Sequence, residues 1–222
     1  MLAHDKNTFI APSFYYVPCQ VATQMPRKPR ELLDGAYYHI LTRGNDKKII
    51  FRGPEDYSIF LRILKKYLNC RQISVFHFCL MPNHMHLLIQ ARQADDLPRL
   101  MQGLLQTYGS YFRKKNSATG FVFQNRYKSL LIQKEDYLLE CARYIERNPL
   151  RAGLTDDLLK YPWSSFMSYI CDASMKSEIV RSFNPLYLQL SSTVEGRKRA
   201  YRDYVLEERP YEKIVDRALK LK

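Results

Sequence analysis

The sequence lacks the usual marks of a secreted or membrane protein. Its five cysteines form no C-x-x-C pair: Cys19, Cys70, Cys79, Cys141 and Cys171. An odd, scattered set argues against a disulfide framework and favours a reducing compartment. No apolar run approaches membrane-spanning length, and the N-terminus lacks the basic-then-apolar order of a signal peptide. We therefore expect a cytoplasmic protein with no membrane association.

Acidic residues are also few relative to basic ones. The 222 residues include 35 Lys and Arg against 22 Asp and Glu, a formal net charge of +13. This excess makes polyanions the leading class of partner, with an ordinary basic protein as the alternative. The 17 tyrosines suit stacking on unpaired bases as well as core packing. No extended acidic cluster is present, which disfavours a two-metal nuclease.

The first 34 residues differ from the rest. Residues 1–24 show no clear hydrophobic period, and residues 25–30, Met-Pro-Arg-Lys-Pro-Arg, begin a basic arm broken by proline. Such arms are typical of flexible segments that lie along phosphates. We predict a flexible extension over 1–34, in which Met25 is an alternative start.

From Gly35 onward, strand and helix patterns alternate. The predicted strands are 36–41, 73–80, 85–89 and a region within 121–133, and the predicted helices are 54–68, 97–115 and 136–148. Pro82-Asn83 is a turn signal, and Pro149 is expected to stop the third helix. The order β-α-β-β-α-β is ferredoxin-like. We predict an α+β fold whose antiparallel sheet has helices on one face, which leaves the other face free for a site.

Two histidines open the third predicted strand, in the segment Met81-Pro82-Asn83-His84-Met85-His86. Residues i and i+2 of a strand face the same side, so His84 and His86 would project together while Met85 packs behind. Two imidazoles on a rigid strand make half of a divalent-metal site. Taken alone, such a pair is more often two half-exposed strand residues than two metal ligands. His39 and His77 are expected to be strand residues, with His39 near the site.

The third predicted helix carries Tyr144 and Asn148, which share a face because they are four residues apart. A phenol, an amide and two imidazoles are the parts of a metal-assisted phosphoryl transfer, in which the tyrosine oxygen attacks phosphorus. Tyr137 lies seven residues earlier on nearly the same face and is the competing nucleophile. Glu140 is the competing ligand. Most of the other tyrosines are expected to serve packing or the surface.

Three segments together resemble the REP-associated tyrosine transposases, members of the single-tyrosine HUH superfamily related to the transposases of small bacterial insertion sequences. They are residues 81–90, residues 136–154, which include Tyr-Ile-Glu-Arg-Asn-Pro-Leu-Arg-Ala-Gly-Leu, and Tyr161-Pro162-Trp163-Ser164-Ser165. The resemblance covers roughly 25–169. It implies a histidine-hydrophobic-histidine motif at His84 and His86, a nucleophile at Tyr144 and a third metal ligand at Asn148, where related enzymes usually have glutamine.

The resemblance implies cleavage and rejoining of single-stranded DNA near short hairpins, with Mg²⁺ or Mn²⁺ as the metal. Tyr144 would take the 5′ phosphate and leave a free 3′ hydroxyl. The phosphotyrosine keeps the energy of the cleaved bond, so resealing needs no ATP. The predicted domains are the 1–34 extension, a 35–154 HUH-type nuclease domain and a 155–222 helical extension. In the extension, Trp163 is expected to dock on the core and 191–206 to form a basic helix.

Several basic residues could contact the phosphates of a hairpin: Arg27, Lys28, Arg30, Arg43, Arg113, Lys114, Lys115, Arg126 and Lys128. A solvated surface is the alternative for each group. Two other functions remain open, a hairpin-binding or regulatory protein without turnover and an RNA-binding protein that uses the same sheet. The protein is expected to be a monomer or a homodimer.

Overall fold

The computed structural model describes residues 32–133 and 137–209. The strands are β1 (Tyr37–Arg43), β2 (Ile73–Met81), β3 (His84–Ala91) and β4 (Lys128–Ile132). The helices are α1 (Pro54–Leu68), α2 (Asp96–Asn116), α3 (Tyr137–Glu146), α4 (Asn148–Arg151), α5 (Phe166–Ile170), α6 (Pro185–Gln189) and α7 (Val194–Leu206). The basic arm with Arg27, Lys28 and Arg30 and the predicted start of the third helix at Asp136 lie outside the described residues.

The four strands form one antiparallel sheet in the order β2-β3-β1-β4. Because β3 lies between β1 and β2, the two parallel strands of the first β-α-β unit are separated, as in the ferredoxin-like arrangement. The register places Leu41 opposite His86 and Arg43 opposite His84. The predicted α+β fold is confirmed, and the histidine pair of β3 is flanked by β1 on one side and β2 on the other.

One face of the sheet packs against α1 and α2. Alternate residues of the strands, among them Ile40, Met85 and Leu87, are fully buried there with Phe60 and Leu104 of the two helices. This is the expected result of period-two alternation in a strand and 3.6-residue spacing in a helix. The remaining strand residues face the opposite side.

The opposite face is not free, because α3 covers part of it. Leu88 of β3 is buried there together with Cys141 and Ile145 of α3. The helix ends at Glu146, two residues before the predicted end, and Pro149 lies in the first turn of α4 rather than stopping a helix. Proline is tolerated in a first turn because its missing N–H has no partner there in any case.

The predicted fourth strand is shorter than expected. Pairing begins at Lys128, and the preceding residues form an irregular loop against the end of β1. Asn45 N–H donates to the carbonyl of Val122 at 2.8 Å, and Gln124 N–H donates to that of Arg43 at 2.9 Å. These bonds hold the loop beside the end of β1 without continuing the ladder.

The C-terminal helices pack on the sheet and on α3. The Trp163 ring stacks on Tyr57 with centroids 4.6 Å apart, which confirms its docking role. Arg143 of α3 donates to the carbonyls of Tyr204 and Glu207, and Arg147 donates to those of Val205 and Leu206. Both arginines thus serve the carbonyls at the C-terminal end of α7, which lack partners within their own helix. The domain division at 154 stays a prediction.

Within residues 32–133 and 137–209, no helix is both long and apolar enough to cross a bilayer.

Candidate active site

His84 and His86 lie side by side at the start of β3. Their rings meet edge to face with centroids 5.0 Å apart, and Met85 between them is buried on the other face, as the i, i+2 spacing predicts. His84 Nδ1 lies 2.6 Å from Asn83 Oδ1. An amide oxygen only accepts, so Nδ1 carries the hydrogen and Nε2 of His84 keeps its lone pair.

A third imidazole, that of His39 on β1, contacts His86. His86 Nδ1 and His39 Nε2 are 2.9 Å apart, and the two rings are nearly parallel. The contact is diagonal across the strands, because the register pairs His39 with Leu88. His86 Nε2 is buried without a hydrogen-bond partner. When His86 Nδ1 donates to His39, this Nε2 carries a lone pair.

Burial keeps all three imidazoles neutral at pH 7. It lowers the pKa of His39 to about 4. Burial and the neighbouring Arg43 lower the pKa of His84 to about 4. Burial, His39, His84 and Arg151 hold the pKa of His86 well below its usual range. Neutral imidazole is the form that binds a metal ion.

Tyr144 of α3 closes over this group of rings. Its ring meets those of His39 and His86 edge-on, with centroids 5.7 and 5.6 Å away, and its side chain is only 6% exposed. The position follows from the packing of α3, since Cys141 and Ile145 anchor the helix on the sheet at either side of Tyr144. The packing of α3 on the sheet, between segments far apart in the sequence, therefore places the phenol next to the histidine pair.

Asn148 is the first residue of α4, two residues after the end of α3. Its Nδ2 donates to the carbonyls of Tyr144 at 2.9 Å and Ile145 at 3.2 Å. These bonds satisfy carbonyls at the end of α3. Both use the amide nitrogen, so neither occupies Oδ1, the atom that a metal ion would require.

A cavity of about 690 Å³ brings the predicted groups together. His84, His86, Tyr144 and Asn148 all line it. Of the predicted DNA-binding residues, Arg43, Arg126 and Lys128 line it as well. Arg43 is exposed and donates to Gln124 Oε1 at 3.1 and 3.3 Å. The lining therefore combines a phenol, neutral metal-ligating groups and cations suited to phosphate.

The basic residues of α2 lie outside this lining. Arg113 and Lys114 are in the last turn of the helix. Lys115 Nζ forms ion pairs with Glu55 at 2.6 Å and Asp56 at 2.7 Å, and the two carboxylates raise its pKa. Its ammonium therefore serves the contact between α1 and α2.

The two competing residues of the third helix also lie elsewhere. Tyr137 begins α3 and is 52% exposed. Glu140 accepts from the Tyr204 hydroxyl at 2.8 Å and pairs with Arg209. Neither lines the cavity.

Sequence reasoning assigned no role to Arg151, which also lines the cavity. The Cζ of Arg151 lies 5.1 Å from the centroid of the Tyr144 ring. The available signal was its place in the segment from Asn148 to Leu154, three residues after Asn148, which puts the two residues on one face of a short helix.

The sequence profile described as "Transposase IS200 like" matches residues 33–148, more than half of the chain. The chain belongs to the IS200-like transposase family. The resemblance drawn from the histidine pair and the tyrosine segment is thereby confirmed, and so is a transposase-like function on DNA. No curated protein matches the chain.

The fold of this IS200-like transposase is similar to that of a REP-associated tyrosine transposase solved bound to a REP hairpin. The two are 16% identical, the match covers 71% of this chain and 92% of that one, and the TM-score is 0.56. A Deinococcus radiodurans R1 protein assigned as a transposase matches at 15% identity over 58% of this chain and 92% of that one. Its TM-score of 0.38 is too low to support an inference.

The residues that line the cavity of this IS200-like transposase fit a divalent cation. In the two described ranges, no group of three or more His, Cys, Asp or Glu side chains could hold a metal ion. The available donors are instead His84, His86 and the Asn148 amide oxygen. His86 Nε2 is a buried atom without a hydrogen-bond partner, and the other two side chains reach the same cavity. This mixed set of nitrogen and oxygen donors is uncharged.

Proposed function

We propose that this protein is a metal-dependent single-stranded DNA endonuclease and strand transferase that acts at DNA hairpins through a covalent phosphotyrosine. The observation that carries the proposal is that Tyr144, His84, His86 and Asn148 line one cavity. They come from β3, α3 and α4. A nucleophile and a ligand set with a single shared space are what a metal-assisted transfer requires.

The proposed reaction is a transesterification at one phosphodiester. The Tyr144 oxygen attacks phosphorus, the bond between phosphorus and the 3′ oxygen breaks, and the phenolic proton leaves to solvent while the departing 3′ oxygen gains one. The product is a 5′-phosphotyrosine and a free 3′ hydroxyl. Attack by another 3′ hydroxyl reverses the step and transfers the strand. One phosphate ester replaces another, so no external energy source is needed.

His84, His86 and Asn148 would hold the Mg²⁺ or Mn²⁺ ion. When bound, such a cation supplies polarisation of the scissile phosphate. Because the three ligands are neutral, they leave the ion's charge to be balanced by the DNA phosphate. His39 orients His86 through the contact between His86 Nδ1 and His39 Nε2, which is the usual second hydrogen bond of a ligating histidine.

The cations of the cavity support a DNA substrate. Arg43, Arg126 and Lys128 would position phosphates near Tyr144, and Arg113 and Lys114 would contact the backbone farther away. Three further residues, which lie outside the described part of the chain, would also contact the phosphates of the DNA: Arg27, Lys28 and Arg30. We leave out Lys115, whose ammonium is occupied by Glu55 and Asp56. The hairpin substrate is favoured by the similar fold of the transposase solved with a REP hairpin.

Tyr144→Phe tests the nucleophile, because it removes the hydroxyl and little else. Wild type and variant are incubated with end-labelled single-stranded hairpin DNA and Mg²⁺ or Mn²⁺, and protein-linked label is sought on a denaturing gel. We expect complete loss of the adduct, with hairpin binding and thermal unfolding unchanged. Tyr137→Phe is the matched control and should still form the adduct.

Either of two results would contradict the assignment of Tyr144 as the nucleophile. One is an adduct formed by Tyr144→Phe, and the other is loss of the adduct in Tyr137→Phe alone. A wild-type protein that binds the hairpin without ever forming an adduct would instead be a hairpin-binding or regulatory protein. Preference for RNA over DNA in a competition assay would indicate RNA binding through the same face.

A further inference from the structure

Arg151 is a charged residue of the cavity, and the proposed function gives it no role. It ends α4, three residues after Asn148, and its side chain is half-buried. Its guanidinium carbon lies 5.1 Å from the Tyr144 ring centroid, and the same side chain lines the cavity that His84 and His86 share. Its charge also reaches His86, where it helps to lower the pKa of the imidazole.

A guanidinium in this position has two useful properties. It stays charged at every working pH, and its planar set of N–H donors matches two oxygens of a phosphate. A phosphate attacked by Tyr144 must lie within reach of the phenol. Negative charge then develops on the phosphoryl oxygens, and the phenol oxygen loses its proton. Fixed donors aimed at such charge are often the largest single contribution to catalysis.

We propose that Arg151 is a catalytic residue that binds the scissile phosphate beside Tyr144. This inference rests on the proposed function. In the step, the Arg151 N–H groups donate to a phosphoryl oxygen while the bond from Tyr144 to phosphorus forms and the bond to the 3′ oxygen breaks. Arg151 keeps its protons throughout, so it is an electrostatic partner and not a general acid.

A cation outside the cavity supplies the matched control. Arg62 of α1 is exposed and does not line the cavity. Arg62→Gln therefore removes the same charge from the protein, without removing the cation that lies against Tyr144.

The test compares Arg151→Met, Arg151→Lys and Arg62→Gln with wild type. Methionine keeps an unbranched apolar stem against Tyr144, and lysine keeps the charge without the planar donors. The single-turnover rate of adduct formation is measured at saturating hairpin and Mn²⁺. Hairpin affinity is measured in EDTA, and thermal unfolding is followed for each protein. For Arg151→Met we expect a rate loss of about 10²–10³-fold, with hairpin affinity and unfolding temperature close to wild type.

Lysine at position 151 should restore part of the rate, because charge returns without the bidentate donors. Arg62→Gln should leave both the hairpin affinity and the saturated rate near wild type. The comparison of rate with affinity separates catalysis from packing. A loss of rate at saturating hairpin, without a matching loss of affinity or of unfolding temperature, means that Arg151 acts in the reaction step.

A wild-type rate of adduct formation in Arg151→Met would overturn the Arg151 assignment and leave the proposed function standing. Absence of an adduct in wild type itself would overturn both. If Arg151→Met fails to fold, Arg151→Lys decides, since a full rate there would mean that the planar donors contribute nothing.

Discussion

Two clusters that contain histidine lie on the same face of the sheet and contact the same helix, α3, yet their surroundings differ. In the first, the rings of His39 and His86 meet the ring of Tyr144, and the ring of His84 meets that of His86. Two ring nitrogens, His39 Nδ1 and His86 Nε2, have no hydrogen-bond partner, and His86 lines a cavity that also contains cations.

The second group is built around His77 of β2, which is fully buried. His77 Nδ1 lies 3.0 Å from Glu146 Oε1, and Nε2 lies 3.3 Å from Asn184 Nδ2. Tyr169 stacks on the ring at 4.3 Å. Glu146 also accepts from Ser165 at 2.5 Å. Both ring nitrogens of His77 therefore have partners. Through these contacts and the Tyr169 ring, His77 connects β2 to α3, α5 and Asn184.

The difference shows that burial and a lowered pKa do not by themselves identify a reactive histidine, because His77 and His86 share both. What distinguishes the site is a ring nitrogen without a partner beside an open, charged cavity. A satisfied imidazole serves the packing of the chain, whereas the unsatisfied one has capacity for a ligand.

The largest expected effect tests this distinction directly. His86→Ala should reduce adduct formation by about a thousandfold or more, since several kcal/mol of charge stabilisation depends on the ligand set. Hairpin binding should survive, because phosphate contacts dominate affinity. His84→Ala should have the same effects on adduct formation and on hairpin binding. The measurements are the single-turnover rate and the hairpin dissociation constant.

His77→Gln is the control for that comparison, because an amide can bond to both Glu146 and Asn184. Its adduct rate should stay near wild type. A full metal-dependent rate in either His84→Ala or His86→Ala would remove these residues from the ligand set.

A smaller effect is expected at the third ligand. Asn148→Ala should raise the metal concentration for half-maximal adduct formation by about tenfold or more. Asn148→Gln restores an amide oxygen on a longer stem and should recover part of the activity. Thermal unfolding of both variants is followed, because Asn148 also binds the carbonyls of Tyr144 and Ile145. An unchanged metal titration in Asn148→Ala would place the third ligand elsewhere.

The smallest effect concerns His77 and pH. Burial lowers the pKa of His77 despite the opposing effect of Glu146. In the unfolded chain the group titrates near 6.5. Above that pH both states are neutral and stability is full. As pH falls below it, the unfolded state binds a proton that the folded state does not. The free energy of unfolding should then fall by up to about 1.4 kcal/mol per pH unit from this group.

Denaturant unfolding of wild type and His77→Gln between pH 5 and 7 measures this contribution. The other groups facing His77, namely Glu146, Tyr169 and Tyr201, are the same in both proteins, so the difference in slope isolates the imidazole. Equal slopes would mean that folded His77 takes up a proton as readily as the unfolded chain.

Local patterns in the sequence were enough for much of this structure. The i, i+2 spacing of His84 and His86 placed both on one face, and the i, i+4 spacing of Tyr144 and Asn148 placed the second beside the first despite the break after Glu146. The order of strand and helix patterns was enough for the ferredoxin-like fold. In each of these cases the decisive contacts join near neighbours or follow from element order.

The remaining features depend on contacts between distant segments. The contact of His39 with His86 spans 47 residues and depends on strand register. The short β4 reflects bonds from Val122 and Gln124 to the end of β1, and no local pattern encodes them. The packing of α3 on the second face of the sheet was not predicted either. Hydrophobic spacing shows that a helix is amphipathic, but it does not show which surface the apolar side of the helix packs against.

The attachment of α3 to α7 has a consequence for how this protein can evolve. Arg143 and Arg147 bind main-chain carbonyls of α7 and its end, and every amino acid carries a carbonyl. Substitutions on α7 can therefore accumulate without loss of this attachment, provided that the helix still ends at the same place. A shift of that end by insertion or deletion would instead move the carbonyls away from both arginines. This attachment therefore tolerates changes of residue identity but not changes of length.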